Sequence, residues 1–439
     1  MKFQAPKGTR DFYPAEMAVR RRIEAAWREA SVAFGFEEID GPTFEHLGLY
    51  TAKSGDGIVS ELFSFRRAGG SDDYALRPEF TPTLARMAAA RAAQLPVPVK
   101  WFAVPNFFRA ERPQRGRLRE FFQWNVDLLG LEGPAIDAEV IGVAVAALAR
   151  LGLRASDVRV KVSHRVAAGR LVRALGVPEA SVAGAFELLD RRDKVPPEEF
   201  TKRAAALGLS GEALARFEQA VRTRVPVGGD LGALAAAAGI PAAELAELAA
   251  LRDALAAAGL AEWCEFDLGI VRGLAYYTGT VFEVHEASGA ERAIAGGGRY
   301  DGLVELFGGP RMPAMGFGMG DVVLGLVLAD RGLLPADGGE LLPRPDAFVV
   351  SAGDPAAEAE LPRLVARLRE AGLHVRHSYK ATRNVGKLLA DASKQRARFA
   401  VILGAELADG KAQLKDLASG EQRLVALADL AAALGGRGG

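Results

Sequence analysis

The sequence of 439 residues has a single cysteine, Cys264, so it can form no intrachain disulfide and no cysteine-rich zinc site. It also lacks an excess of charge, because 55 Lys and Arg residues balance 55 Asp and Glu residues. Any nucleic-acid contact must therefore come from local clusters of basic residues. Apolar runs are interrupted, for example by Arg150, before they reach membrane-spanning length, and the N-terminal residues contain no apolar signal segment. These absences favour a protein of the reducing cytoplasm that does not contact a membrane.

The composition is typical of a folded globular protein. Apolar residues make up 49% of the chain and charged residues 25%. The length predicts about two to four domains rather than one core. The spacing of apolar residues predicts an amphipathic helix from Ala15 to about Phe34, which ends at Gly35.

Later segments predict a mixed α+β organisation. Residues 100–130 are typical of a long antiparallel hairpin with a basic loop at 112–117. Residues 155–262 are rich in Ala, Leu, Arg and Glu and predict an inserted module of short helices rather than strands. The Pro- and Gly-rich stretch 333–345 is the best linker candidate. Beyond it, strand-like sequence at 347–352 and 399–403 flanks helical patterns at about 355–371 and 382–395, which predicts a small separate α/β domain over residues 346–439.

The second arm of the hairpin separates polar from apolar residues by parity. In a strand, successive side chains point to opposite faces. The even positions Phe122, Trp124, Val126 and Leu128 predict a core face, whereas the odd positions carry the polar set Arg117, Arg119, Phe121, Gln123, Asn125 and Asp127. Arg109 and Glu111 on the first arm can join that polar face. It is either an ordinary solvated sheet surface or the lining of a concave binding site.

Two further clusters carry groups that suit ligand binding. Glu79 and Thr81 follow Pro78 at a strand-to-helix turn, where a carboxylate either grips an ammonium group or caps the helix. Arg272 lies with Tyr276 and Tyr277 among glycines that let a backbone approach a ligand. This arginine either binds an anionic substrate in a bidentate manner or pairs with a carboxylate of the core.

Two glycine-rich segments and two histidines do not match known nucleotide-binding or metal-binding motifs. The glycines of 316–321 lack the third glycine of a dinucleotide fingerprint, and those of 296–299 lack the Lys-Ser/Thr pair of a P-loop. His374 and His377 have basic neighbours and no carboxylate at ligand spacing, so we assign no metal site. The segment 376–398 is basic and forms either a solvated helix face or a polyanion site.

Two long motifs resemble those of a known family. Phe108-Arg109-Ala110-Glu111-Arg112-Pro113-Gln114-Arg115-Gly116-Arg117, continuing to Phe121-Phe122-Gln123, is similar to the second signature motif of class II aminoacyl-tRNA synthetases in its histidyl-tRNA synthetase form. Residues 272–283, Arg-Gly-Leu-Ala-Tyr-Tyr-Thr-Gly-Thr-Val-Phe-Glu, resemble the histidine-specific motif of the same family. Residues 7–11, 76–81 and 297–301 are similar to shorter family motifs.

The resemblance implies an architecture and a set of partners. It implies an α+β fold in which helices flank an antiparallel catalytic sheet, with a helical insertion and an α/β anticodon-binding domain. We therefore expect the catalytic domain at 1–154 and 263–332, the insertion at 155–262, the linker at 333–345 and the anticodon-binding domain at 346–439. The implied partners are L-histidine, ATP with Mg²⁺, tRNA(His) and a second copy of the chain as a homodimer in the cytoplasm, without DNA.

The resemblance also implies roles for individual residues. Arg109 and Arg272 would be catalytic and would stabilise charge at the α-phosphate, since phosphoryl transfer depends on positioning and charge neutralisation. The ATP-binding set would be Arg109, Glu111, Arg117 and Phe121. The histidine-binding set would be Glu79, Thr81, Arg109, Gln123, Asp127, Arg272, Tyr276 and Tyr277, with Asp127 and Tyr277 at the imidazole.

Three positions depart from the family pattern. Asp127 stands where the family has a longer Glu, so a shifted sheet or a water must bridge the extra distance. Ala275 replaces an Asp that orients its neighbours. Residues 320–323, Gly-Asp-Val-Val, replace the Gly-x-Glu-Arg end of the third class II motif. The arginine that forms one wall of the adenine site is therefore missing from its usual place.

A second function stays open at this level. A synthetase paralogue that no longer charges tRNA can serve as the histidine-sensing regulatory subunit of ATP phosphoribosyltransferase, as a binding module rather than an enzyme. Such paralogues resemble the catalytic core but lack the C-terminal domain and disrupt the catalytic arginine. This chain retains both Arg272 and the C-terminal segment, so we expect an ATP-dependent, AMP-forming ligase.

Overall fold

The centre of the computed structural model is a ten-stranded sheet that contains six neighbouring antiparallel strands. The structure describes residues 3–54, 56–190, 195–271, 277–335, 338–380, 382 and 384–435. The strand order is β1-β5-β7-β13-β12-β11-β8-β10-β9, and β6 pairs with the start of β7. The strands from β5 to β8 in this order are all antiparallel to their neighbours, whereas β1 and β10 add at the two sides in parallel.

The described strands and helices are as follows. The strands are β1 Glu37–Glu38, β2 Phe44–His46, β3 Ser64–Arg66, β4 Asp73–Leu76, β5 Val99–Ala103, β6 Asn106–Phe108, β7 Glu120–Leu129, β8 Val158–His164, β9 Val225–Pro226, β10 Cys264–Phe266, β11 Thr280–Glu286, β12 Ala295–Arg299, β13 Ala314–Gly320, β14 Ala347–Ser351, β15 Val375–His377, β16 Phe399–Leu403, β17 Lys411–Asp416 and β18 Gln422–Ala426. The helices are α1 Pro14–Ala33, α2 Leu47–Ser54, α3 Thr81–Arg91, α4 Pro134–Arg150, α5 Arg165–Ala174, α6 Val182–Asp190, α7 Pro197–Ala206, α8 Gly211–Arg222, α9 Gly232–Ala238, α10 Ala246–Ala257, α11 Leu303–Leu306, α12 Asp321–Asp330, α13 Pro355–Glu370, α14 Val385–Lys394 and α15 Leu430–Gly435.

The strand β7 shows the predicted separation of its two faces. The even-numbered Trp124, Val126 and Leu128 lie in the main core. Trp124 stacks on Trp27 of α1 with ring centroids 6.0 Å apart, and its Nε1 donates a hydrogen bond of 2.9 Å to Ser31 Oγ. One face of β7 is thus covered by helix, and the odd face is left to line the site described below.

The chain divides into two units, residues 1–341 and 342–439. The second unit has a sheet of order β15-β14-β16-β17-β18, with α13 and α14 packed on β14. The helices predicted in this region are confirmed, while the sequence analysis missed the short strands β15, β17 and β18. With the antiparallel sheet of the first unit, this arrangement confirms the predicted α+β class.

The segment 155–262 differs from the prediction in one respect. Helices α5 to α10 occupy most of it, but Val158–His164 form β8, which pairs with β11 inside the large sheet, and Val225–Pro226 form β9, which pairs with β10. The expectation of helices rather than strands was wrong here. Val158, Val160 and Val162 alternate with partly exposed residues, a two-residue period that the surrounding Ala- and Leu-rich sequence concealed.

Among the described residues, no single helix is both long and apolar enough to cross a bilayer. One bent pair, Gly232–Ala238 with Ala242–Ala257, meets both requirements only in combination.

A buried ion pair connects α4 to the end of β12. Arg299 Nε donates to Asp137 Oδ1 at 3.0 Å, and both side chains are less than a tenth exposed. Thr280 of β11 donates to the other carboxylate oxygen at 2.5 Å. Asp137 therefore joins a helix N-terminus to two neighbouring strands.

We expect Asp137→Ala to lower the free energy of unfolding of the first unit by about 3 kcal/mol, because the buried Arg299 guanidinium loses its closest carboxylate and keeps the longer contact of 3.2 Å with Asp301. Urea unfolding followed by tryptophan fluorescence measures this unit alone, since all four tryptophans lie in residues 1–341. Asp253→Ala, which breaks the exposed pair with Arg252, should cost less than about 1 kcal/mol. Equal losses of unfolding free energy in Asp137→Ala and Asp253→Ala would contradict a stabilising role for the buried ion pair.

Candidate active site

Two connected cavities open on the odd face of β7. The outer cavity has a volume of about 270 Å³ and is lined by Arg109, Gly116, Arg117, Leu118, Phe121, Gln123, Glu283, Arg292, Ala293, Ile294, Ala295, Gly296, Gly318, Gly320, Val322 and Val323. The inner cavity has a volume of about 90 Å³ and is lined by Glu79, Thr81, Arg109, Gln123, Asn125, Asp127, Tyr277, Gly296, Tyr300, Gly316, Phe317 and Gly318. Arg109, Gln123, Gly296 and Gly318 line both, so a ligand can extend from one cavity into the other.

Glycines of β13 make the space for the polar side chains of β7. Gly316 lies opposite Asp127 in the strand register, and a Cβ at this position would lie 2.0 Å from Asp127 Oδ1. A Cβ on Gly318 would lie 2.7 Å from Gln123 Cδ. Any larger residue at these positions would force the carboxylate and the amide out of place.

The inner cavity ends at a buried acidic group. Asp127 is 3% exposed and its Oδ1 accepts a hydrogen bond from the hydroxyl of Tyr300, which is 2% exposed. Burial raises the pKa of Asp127 to about 7, although the Tyr300 hydrogen bond opposes the rise. Burial, and then the Asp127 charge, raise the pKa of Tyr300, so this hydroxyl stays protonated and remains a donor.

The outer cavity carries most of the positive charge. Arg109 donates from Nε to the Pro78 carbonyl at 3.1 Å, and its guanidinium lies 5.2 Å from the centre of the Phe121 ring. Arg117 forms an ion pair with Glu111. Arg109 is thus held in one orientation by a backbone carbonyl and an aromatic face, which leaves its Nη atoms for an anionic ligand.

Residues near the N-terminus bind to the start of β7 and the start of α12, which both border the site. The Gly8 carbonyl accepts hydrogen bonds from the backbone N–H groups of Arg119 and Glu120, at 2.8 and 3.1 Å. Arg10 pairs with Asp321 at 2.7 Å, and Asp321 also accepts from the Phe122 backbone N–H at 2.9 Å. Asp321 therefore fixes the start of α12 to β7.

The structure brings most of the predicted site residues together. Arg109, Arg117 and Phe121 line the outer cavity, and the inner cavity is lined by Glu79, Thr81, Arg109, Gln123, Asp127 and Tyr277. Glu111 reaches the site through its pair with Arg117 rather than by lining either cavity. Arg272 and Tyr276 lie outside the described residues, so their roles stay predictions.

Sequence reasoning missed several residues of the site. Gly316 and Gly318 were examined only as a nucleotide loop, although their two-residue spacing is that of a strand with one bare face. Tyr300 lies in a recognised motif but received no role. Glu283 and Arg292 line the outer cavity, and Arg292 carries no sequence signal of its own, because it falls in a loop between two strands.

The arrangement separates two chemistries. Guanidinium groups converge on the outer cavity and suit phosphate oxygens, whereas the inner cavity ends in a carboxylate and two tyrosines and suits a small polar ring. The shared Arg109 and Gln123 lie where the two ligand parts would meet.

Comparisons with known proteins identify the family of the chain. A family model described as histidyl-tRNA synthetase matches residues 8–320, and one described as an anticodon binding domain matches residues 346–437. A histidine–tRNA ligase of Opitutus terrae is 41% identical over 429 residues, which covers 94% of each chain. A chloroplastic/mitochondrial histidine–tRNA ligase of Arabidopsis thaliana is 37% identical over 97% of this chain and 85% of its own length.

Solved structures give the same result for the fold. The crystal structure of histidyl-tRNA synthetase from Nostoc sp. PCC 7120 superimposes with a TM-score of 0.78 at 26% identity and covers 99% of both chains. Since a family model spans well over half of the chain and relatives near 40% identity extend over almost all of it, the chain belongs to the histidyl-tRNA synthetase family.

Proposed function

We propose that this aminoacyl-tRNA synthetase joins histidine to tRNA(His) in two steps. In the first, an oxygen of the histidine carboxylate attacks the α-phosphorus of ATP, the bond to the leaving group breaks, and histidyl-adenylate and pyrophosphate form. In the second, the terminal ribose hydroxyl of the tRNA attacks the histidyl carbonyl and AMP leaves. The observation that carries this proposal is the junction of an arginine-lined cavity with an acidic one at Arg109 and Gln123.

The outer cavity suits the nucleotide. Arg109, whose orientation is fixed by the Pro78 carbonyl, would hold the α-phosphate and the histidine carboxylate together. Arg117 would exchange Glu111 for the distal phosphates, and Phe121 would stack on the base. Fixed guanidinium groups lower the barrier because they meet the developing negative charge without reorganising.

The inner cavity suits the amino acid. Glu79, Thr81 and Gln123 would bind the α-ammonium group, while Asp127 and Tyr277 would contact the imidazole. Among the described residues, only the Tyr300 hydroxyl donates to Asp127, and it does so at Oδ1. Oδ2 is therefore left to accept a ring N–H. A free amino acid without a ring N–H would leave the buried Oδ2 of Asp127 unpaired. The cavity would therefore bind histidine more tightly than such an amino acid by a large factor.

Arg272 would supply a further charge at the α-phosphate, as its motif suggests, with Tyr276 beside it. The regulatory-subunit alternative is not favoured, because the C-terminal segment matches an anticodon binding domain and the curated relatives are histidine–tRNA ligases. We extend this to the domain plan: residues 1–154 and 263–332 would be catalytic together with β8, which lies in the same sheet, the rest of 155–262 would be the insertion, 333–345 the linker and 346–439 the anticodon-binding domain.

Three finer features complete the proposal. The described residues contain no cluster of three metal-ligating side chains, so Mg²⁺ would be held mainly by ATP phosphates and water, with Glu283 as a carboxylate on the cavity wall. Bound there, Mg²⁺ would neutralise phosphate charge. We further propose a homodimer and a cytoplasmic location, where the tRNA is.

The purified chain should catalyse histidine-dependent exchange of labelled pyrophosphate into ATP, and other amino acids should not support it. Arg272→Ala should slow adenylate formation by about 10²–10³-fold, with histidine affinity within about threefold of the wild type, because the arginine acts on the phosphate. Absence of exchange with intact histidine binding would favour the regulatory reading. Undiminished exchange in the variant would remove Arg272 from the mechanism.

Gly316→Ala should reduce kcat/KM for histidine by about 100-fold, because the added methyl displaces the Asp127 carboxylate and a misplacement of about 1 Å has that effect. Gly325→Ala is the matched control. A Cβ at Gly325, within α12, meets no atom within 4 Å, so this variant should behave as the wild type. Equal kcat/KM values in both variants would show that the inner cavity does not bind the amino acid.

The raised pKa of Asp127 predicts how stability depends on pH. The folded protein binds this proton more tightly than the unfolded chain, in which an Asp titrates near about 3.9. The stabilisation it gives is complete below the unfolded pKa and is lost as the pH rises through about 7. In urea unfolding without ligand, Asp127→Asn should therefore gain stability relative to the wild type between pH 5 and 8. The free energy of unfolding of Asp253→Asn should have the same pH dependence as that of the wild type. The same pH dependence in Asp127→Asn would refute the raised pKa of Asp127.

A further inference from the structure

One arginine of the outer cavity has no role in the proposed mechanism. Arg292 lies in the loop between β11 and β12 and lines the outer cavity together with Arg109 and Arg117. Within the part of the chain that the structure describes, its guanidinium makes no hydrogen bond or ion pair. The side chain is exposed to solvent through the cavity mouth, so a ligand can reach it.

The loop that carries Arg292 is held against the loop that carries Arg117. Glu291 accepts a hydrogen bond of 2.7 Å from Arg115 Nε. A Cβ on Gly116 would lie 3.6 Å from Arg292 Cδ. The stem of Arg292 therefore packs beside the turn at Gly116.

The charges around Arg292 are mainly of its own sign. Partial burial, and then the positive charge of Arg117, lower the pKa of Arg292, and Arg109 adds to the repulsion. Glu111 offsets part of it, but that carboxylate is paired with Arg117. Three guanidinium groups around one open cavity repel one another unless a polyanion enters between them.

The end of β13 supplies no cation to this cavity. The residues that follow Gly320 are Asp321, which pairs with Arg10, and Val322 and Val323, which line the wall. Val323 also lies beside the turn at Gly116, where an added Cβ would be 3.2 Å from Val323 Cγ2. The β11–β12 loop therefore adds a guanidinium to the lining of this cavity, where Arg292 and Val323 both lie beside the turn at Gly116.

We propose that Arg292 is a nucleotide-binding residue that contacts the triphosphate of ATP from the β11–β12 loop and supplies the positive charge that α12 lacks. The inference rests on the proposed function, since it takes ATP as the occupant of the outer cavity.

The test is the kinetics of histidine-dependent pyrophosphate exchange in Arg292→Ala and Arg292→Lys. Loss of one charged hydrogen bond should raise KM for ATP about tenfold or more in Arg292→Ala, with KM for histidine within twofold of the wild type. The KM of Arg292→Lys for ATP should lie between those of the wild type and Arg292→Ala, because lysine keeps the charge but lacks the several hydrogen-bond donors of the guanidinium. Arg22→Ala, which removes an exposed arginine of α1, is the control and should match the wild type.

A second readout needs no catalysis. ATP with Mg²⁺ should raise the melting temperature of the wild type and of Arg22→Ala, and should raise that of Arg292→Ala much less, whereas the ligand-free melting temperatures should agree. An unchanged KM for ATP, or equal increases in both KM values with a lower ligand-free melting temperature, would overturn the proposal. If ATP raises the melting temperature of the wild type but no pyrophosphate exchange occurs, the proposed function is refuted. The change in melting temperature then still tests whether Arg292 contacts ATP.

Discussion

The bare backbone along one line of β12 and β13 is the constraint on which the site depends. Gly298 on β12, like Gly316 and Gly318 on β13, leaves no room for a Cβ between the strand and the side chains that lie across it. A Cβ on Gly298, for example, would lie 2.8 Å from the Tyr277 ring. The glycines remove the layer of side chains that normally covers a sheet, so long polar residues from β7 can lie flat across it.

This constraint determines where charge can be placed. Asp127 is buried because its neighbours close over it, and its only described donor is the Tyr300 hydroxyl. The arginines stand at the wider, open end of the same depression, where water still reaches them. Burial raises the pKa of Asp127 at the closed end, and partial burial lowers that of Arg292 at the open end, so the two ends differ in their affinity for charged ligands without any change of fold.

The sequence predicted those parts of the structure that depend on short-range patterns. The alternation along β7 identified Trp124 as core and Asp127 as lining, and the same parity placed Phe121 and Gln123 on the open face. The contribution of β13 could not be derived in this way, because glycine-rich sequence is ambiguous between a loop and a strand until its partners are known. Arg292 could not be predicted for another reason. Its position depends on how two loops pack, and the sequence of its own loop does not indicate that contact.

The contacts of Gly8 and Arg10 have a consequence for the order of assembly. Arg10 pairs with Asp321, a residue 311 positions later in the chain, and the Gly8 carbonyl accepts from the N–H groups of Arg119 and Glu120 at the start of β7. Closing so long a loop is entropically costly and is repaid only when the intervening sheet exists. During synthesis on the ribosome, the earliest residues must therefore wait for β13 and α12 to emerge, and a complete pocket becomes one of the last features that the growing polypeptide acquires.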